Sequence, residues 1–213
     1  MAREPASVII RFAGQAPIRW RPLSSNVRHH RNPRSRYAVI QIVPYTAGWV
    51  EAFEAEAREL GRALGTRALR IEHVGSTAVP GLAAKPVVDI QVSVQSLEPP
   101  EEFQTALAPL GYRFVSNGDF DLEYPWFAKP GEWPSTHHVH LCVAGGEQEA
   151  RHLAFRDWLR RNPDQARRYE ALKRRLAGEH EGASLGSVVD YSLAKSEFVE
   201  SSLSNAGFAW PAQ

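Results

Sequence analysis

Residues 72–90 read Glu72-His73-Val74-Gly75-Ser76-Thr77-Ala78-Val79-Pro80-Gly81-Leu82-Ala83-Ala84-Lys85-Pro86-Val87-Val88-Asp89-Ile90. The flanking runs Ala68–Val74 and Val87–Val94 have the apolar, β-branched content of strands, and the second is continuous enough to imply burial on both faces. Between them Gly75 and Ser76 form a small-residue turn after a strand, where backbone amides can cradle a phosphate. His73 and Thr77 flank that turn. Side chains alternate along a strand, so Asp89 and Gln91 point to one side, toward the turn. The stretch therefore has the skeleton of a metal-nucleotide site.

Working outward, Val39–Val43 reads as a further strand ending at Pro44. A helix is expected from about Ala47, where Trp49, Phe53, Ala57, Leu60 and Leu64 share one face and Glu51, Glu54 and Glu59 fall off it; Gly65 stops it. Downstream, Pro99–Leu110 reads as a short helix ending at Gly111. Strands follow at Tyr112–Val115, Tyr124–Phe127 and His137–Val143, separated by Gly, Pro and Asn turns. The last third is helical: Glu147–Arg161, broken before Pro163, then Asp164–Ala177, then about Ser187–Ser204. The fold class is α/β, in its α+β form: a mixed β-sheet with flanking helices and a C-terminal helical cap, in a single domain over residues 37–213.

The chain has 213 residues, of which 43% are hydrophobic and 10% aromatic, enough for a real core and too many for a disordered or fibrous protein. No stretch approaches the length of apolar sequence that crosses a membrane, and the first residues lack the pattern of a secretory signal. A cytoplasmic protein without membrane association is expected. Cys142 is the single cysteine, so any metal must be held by His, Asp or Glu. The net charge of +1 is unevenly spread: residues 1–36 carry eight arginines against Glu4 alone, and the remainder is acidic. Nucleic-acid binding is thus not expected of the folded body. Two readings of the poorly patterned basic arm are open, a salt-sensitive tether to a polyanion and a dispensable extension.

His138 and His140 share a face of their strand, ~7 Å apart at a rise of about 3.3 Å per residue, and His137 points the other way. With Asp89 they make a two-histidine, one-carboxylate set, which suits Zn²⁺, Fe²⁺ or Mn²⁺ better than Mg²⁺. The alternative is a histidine pair hydrogen-bonded within a polar cleft. Lys85 is either an anion ligand or an exposed loop lysine. Tyr191 and Lys195 fall on one helical face, with Lys195 reaching back toward the cleft. Their spacing matches a dehydrogenase pair, but no GxGxxG turn follows a strand, which removes that reading. Arg160, Arg167 and Arg174, with Arg161, Arg168 and Arg175, make a basic stripe if the helices run on past Pro163.

The 72–90 segment resembles the GrpB family. So do Val43-Pro44-Tyr45, Thr136-His137-His138-Val139-His140, Leu153-Ala154-Phe155-Arg156-Asp157-Trp158-Leu159-Arg160 and Ala194-Lys195-Ser196-Glu197-Phe198-Val199, in the family's order. The resemblance implies a fold similar to polymerase-β-type nucleotidyltransferases, in a domain that also occurs joined to dephospho-CoA kinase. Such enzymes pair Asp-x-Asp or Asp-x-Glu to hold two Mg²⁺ ions. Here Gln91 takes the second position. Ser135 and Pro125 stand where the family often has arginine, and the aromatics Tyr124, Trp126, Phe127 and Trp133 either line a pocket in their place or are core.

The expected function is a metal-dependent transferase of nucleotidyltransferase ancestry acting on a small metabolite or nucleotide. Catalytic roles fall to Asp89, His138, His140 and Lys195, and a divalent metal (Mg, Mn or Zn) is held by Asp89, His138 and His140. Ligand contacts are expected from His73, Gly75, Ser76, Thr77, Lys85, Gln91, Trp126 and Tyr191. The alternatives are a non-catalytic ligand-binding or partner-docking domain, and a His/Asp metal-dependent hydrolase or lyase.

Overall fold

In the computed structural model, residues 40–116, 124–131, 134–179, 191 and 193–209 are described. The basic arm, Val39, Trp133 and the segment 180–190 lie outside them. Five strands, β1 (Arg70–Val74), β2 (Val88–Val94), β3 (Arg113–Val115), β4 (Trp126–Lys129) and β5 (His137–Val143), form one sheet in the order β1-β2-β5-β4-β3. Only β2 and β5 run parallel; the other neighbours are antiparallel. This is the mixed sheet expected from sequence.

Side-chain alternation divides the sheet into a dry face and a polar face. Ile90 and Val92 of β2, Phe127 of β4 and Val139 and Leu141 of β5 pack against Trp49, Leu60 and Leu64 of α1 (Gly48–Leu64) and Phe103 and Leu107 of α2 (Pro100–Leu107). The other face carries Glu72, Asp89, Gln91, His138 and His140. Over its β1 side lies α3 (Glu147–Arg161), fastened by three arginine contacts. Arg70 grips Glu149; Arg156 donates to Glu72 at 2.8 Å and to the His73 carbonyl at 3.1 Å; Arg160 donates twice to the Ala78 carbonyl. The helices α4 (Pro163–Glu179) and α5 (Ser196–Asn205) complete the cap. Tyr169 of α4 stacks on Phe198 of α5 and joins a cluster with Val79, Leu82 and Leu159, so the loop after β1 is packed under the cap.

One sequence expectation needs correction, one conditional reading is decided by the helix break expected before Pro163, and one buried residue was missed. In the described part of the expected Val39–Val43 strand, Val43 makes an isolated bridge to Ala84 and residues 40–42 add no strand to the sheet. The sequence around Pro44 has strand propensity but no second neighbour to pair with. Asn162 leaves the helical region at φ −126°, ψ 77°, so α3 and α4 are separate and the basic stripe is not continuous. Its arginines are largely engaged: Arg167 with Asp164, Arg174 with Glu170, Arg175 with Glu179. Glu56, not singled out in α1, is buried and accepts two hydrogen bonds of 2.9 Å from Lys129, tying α1 to β4.

Candidate functional site

The site begins with register. Asp89 on β2 lies opposite His138 on β5, and Gln91 opposite His140, so parallel pairing brings the carboxylate and both imidazoles to the polar face together. Asp89 Oδ1 is 3.3 Å from His138 Nδ1 and 3.4 Å from His140 Nε2. Burial alone would oppose ionisation of Asp89, but the hydrogen bonds and charges of the two imidazoles outweigh it and hold the carboxyl well below its ordinary range. Trp126 on β4 braces the pair, edge-on to His138 at 4.8 Å and stacked over His140 at 6.2 Å between centroids.

The turn before Asp89 is shaped to it. Gly75 has φ +70°, and a Cβ there would sit 2.5 Å from Asp89 Oδ2, so this close approach requires glycine. Ser76–Ala78 then make a single 3₁₀ turn, in which the amides of Ala78 and Val79 are taken by the carbonyls of Gly75 and Ser76.

These residues open on a cavity of about 570 Å³, a volume suited to a small-molecule ligand. Ser76, Thr77, Lys85, Asp89, Trp126, His138, His140, Tyr191 and Lys195, all singled out from sequence, line it. His73, Gly75 and Gln91 do not. His73 is buried on the dry face, stacked on Phe53 at 4.8 Å with Nε2 3.0 Å from Thr77 Oγ1, and burial pushes its pKa down to about 4. Gln91 is fully buried, with Oε1 2.9 Å from His152 Nδ1 of α3, so the residue in the second carboxylate position supports a histidine from behind. Among the expected aromatics, Tyr124 lines the cavity and Phe127 belongs to the core.

Several cavity residues were not anticipated, among them Gln148 and Arg151 of α3; two others bear most on the chemistry. His152 lies 5.6 Å from the His140 ring, and burial first, then His140 and Arg151, hold its pKa down at about 3, so it is neutral. Lys173 of α4 is 2% exposed and hydrogen-bonds the Ala83 carbonyl. The signal for Lys173 was present in the sequence: it falls in phase with Tyr169, Leu176 and Ala177, the buried stripe of its helix.

The donor atoms of Asp89, His138 and His140 all lie within 4.8 Å of one another. Ligands about 2.0–2.1 Å from a tetrahedral Zn²⁺ stand about 3.3–3.4 Å apart, which is the separation seen on both sides of Asp89 Oδ1. The residues present thus fit a divalent ion with imidazole affinity.

Fold and site together define a mixed α/β protein with a cleft built on an Asp–His–His cluster. The GrpB protein family profile matches residues 39–205, and the chain belongs to that family. It is 33% identical over 167 residues to UPF0157 protein YqkA of Bacillus subtilis (strain 168), covering 78% of this chain and 47% of that protein. A dephospho-CoA kinase of Mycolicibacterium paratuberculosis is 33% identical over 160 residues, 64% of this chain and 39% of the kinase. The chain thus matches less than half the length of each of these two curated relatives. The crystal structure of conserved protein GrpB from Enterococcus faecalis is similar at TM-score 0.66 and 37% identity, over 78% of this chain and 98% of that one. Among the described residues, no helix is long and apolar enough to cross a membrane.

Proposed function

We propose that the cleft is the active site of a metal-dependent transferase of nucleotidyltransferase ancestry, acting on a small metabolite or nucleotide. The observation that carries this reading is the convergence of Asp89, His138 and His140 at the wall of the cavity. Asp89 and the two imidazoles would hold a divalent ion, which would supply Lewis acidity there; Trp126 packs against both imidazoles and the Gln91–His152 pair backs His140. Lys195 and Lys85 line the same cavity, within the field of Asp89, and position an anionic ligand. The match to part of a protein named dephospho-CoA kinase favours a phosphorylated or nucleotide-like substrate.

Gln91 favours a second reading, a ligand-binding domain without catalysis. Its amide is turned to His152, and among the described residues no second carboxylate joins Asp89 in the cluster. Calorimetric titration of the full chain with Zn²⁺, Mn²⁺ and Mg²⁺ tests the metal centre: Zn²⁺ or Mn²⁺ should bind more tightly than Mg²⁺, and Asp89→Asn should abolish binding while the fold survives. Equal metal affinity in wild type and Asp89→Asn would sink it. Metal binding without turnover of any nucleotide or phosphorylated metabolite would leave the second reading standing.

A further inference from the structure

Three lysines from three separate parts of the chain line the same cavity as Asp89 and feel one another's charge: Lys85 from the loop before β2, Lys173 from α4 and Lys195 at the start of α5. They are held by aromatic faces. Lys195 Nζ lies 4.2 Å and Lys85 Nζ 5.5 Å from the ring centroid of Tyr191, while Lys173 Nζ lies 4.8 Å from that of Tyr169. Among the described residues, neither Lys173 nor Lys195 forms an ion pair with a carboxylate. Glu170, one turn before Lys173, is already bound to Arg174 and to the Ala83 amide.

An ammonium group removed from water at the wall of a cavity is costly unless a counter-charge reaches it, and a π-face offsets only part of that cost. The consequence is visible in the amines. Burial first and Lys195 second push Lys173 down to about 7; burial first and Lys85 second do the same to Lys195. An anion placed among them would offset the mutual repulsion and raise both amines toward their ordinary range.

The residue types narrow the anion. A planar carboxylate needs only one guanidinium fork, whereas three compact ammonium groups, with the Arg151 guanidinium also on the cavity wall, suit the several terminal oxygens of a tetrahedral group. The hydroxyl of Ser76 lines the same space. We propose that Lys85, Lys173, Lys195 and Ser76 form an oxyanion subsite that takes the terminal phosphoryl group of a small phosphorylated ligand, whose other end reaches the Asp89–His138–His140 cluster. This rests on the reading of the cavity as a small-molecule site, and the lysine wall does not need the metal in order to hold an anion.

The test is calorimetric titration of the full chain, with EDTA present, using inorganic phosphate, sulfate and acetate as probes. Phosphate and sulfate should bind, with acetate weaker by about tenfold or more; Lys195→Gln and Lys173→Met should each weaken phosphate by about tenfold, the usual loss for a charge-assisted hydrogen bond. Asp89→Asn should bind phosphate as well as wild type or better, since a like charge has gone. If Lys173→Met loses its fold by circular dichroism, Lys195→Gln decides alone. No phosphate binding, equal binding in the lysine variants, or acetate binding as well as phosphate would each overturn the subsite. Phosphate binding that appears only with metal, vanishes in Asp89→Asn and persists in Lys195→Gln would also overturn it, while leaving the metal centre intact. Phosphate held by the lysines in a protein that binds no metal would do the reverse.

Discussion

Gly75 and Asp89 form the tightest dependency at the scale of single residues. With φ at +70° and no room for a Cβ beside Asp89 Oδ2, Gly75→Ala is expected to displace the carboxylate and strain the turn. Stability should fall by about 1–3 kcal/mol in chemical denaturation, and the affinity for Zn²⁺ should fall with it. His73 has a role of its own, since it is neutral where it is buried. The folded form has a pKa of about 4 against an ordinary value of 6.5, so the unfolded chain takes up the proton first as pH falls. Stability is therefore unaffected by His73 above pH 6.5 and is lost progressively down to about pH 4, by roughly 3 kcal/mol in all at 1.36 kcal/mol per pH unit. Unfolding free energies measured at pH 7 and pH 4.5 should differ less in His73→Phe than in wild type. No such information lies in the letter His: position 73 was legible as the end of a strand, but the face it chose depends on Phe53 and Thr77, which lie on other elements.

Among the elements, α3 decides whether the polar face is a cleft or open water. Its hold on the sheet is largely through arginine: Arg156 is 11% exposed in its side chain and joins Glu72, Asp157 and the His73 carbonyl. Arg156→Ala is expected to cost about 2–3 kcal/mol, because it leaves a half-buried carboxylate and a carbonyl short of a donor; thermal unfolding should shift down by about 4–10 °C. The span of α3 was readable from Gly146 and the Asn162-Pro163 break, and β5 from the alternation around Val139 and Leu141. What α3 would carry into the site was not. His152 sits in a helix of mixed polarity, where the phase facing the cavity is set by the arginine contacts beneath it and not by an apolar stripe. The expectation of a strand ending at Val43 failed for a related reason: strand propensity is realised only where a neighbouring edge is available, and among the described residues 40–43 one bridge to Ala84 is all that forms.

For the whole molecule, the cluster joins two strands that hold the centre of the sheet, so occupancy and global stability are linked. Zn²⁺ at about a hundred times its dissociation constant should add about 2.7 kcal/mol, raising the melting temperature by roughly 5–10 °C for a protein of this size; EDTA should reverse the shift and Asp89→Asn should lack it. The mixed sheet, the helical cap and the Asp89, His138, His140 grouping were all legible from motif and alternation. Strand order was not, because nothing local says that β2 pairs with β5 in parallel and not with the nearer β3.

That parallel pairing sets the order in which the molecule can be made. β2 leaves the ribosome well before β5, with α2, β3 and β4 between them, and the nascent chain holds Asp89 without either imidazole until the sheet has closed around its centre. Loops of this length close slowly and are rewarded only once both strands are present. An ion at the proposed centre would therefore not act as a seed around which the chain collapses, as it does in small zinc-organised domains. In the proposed metal centre, loading would follow folding, since a chain stalled before His138 presents Asp89 without either imidazole.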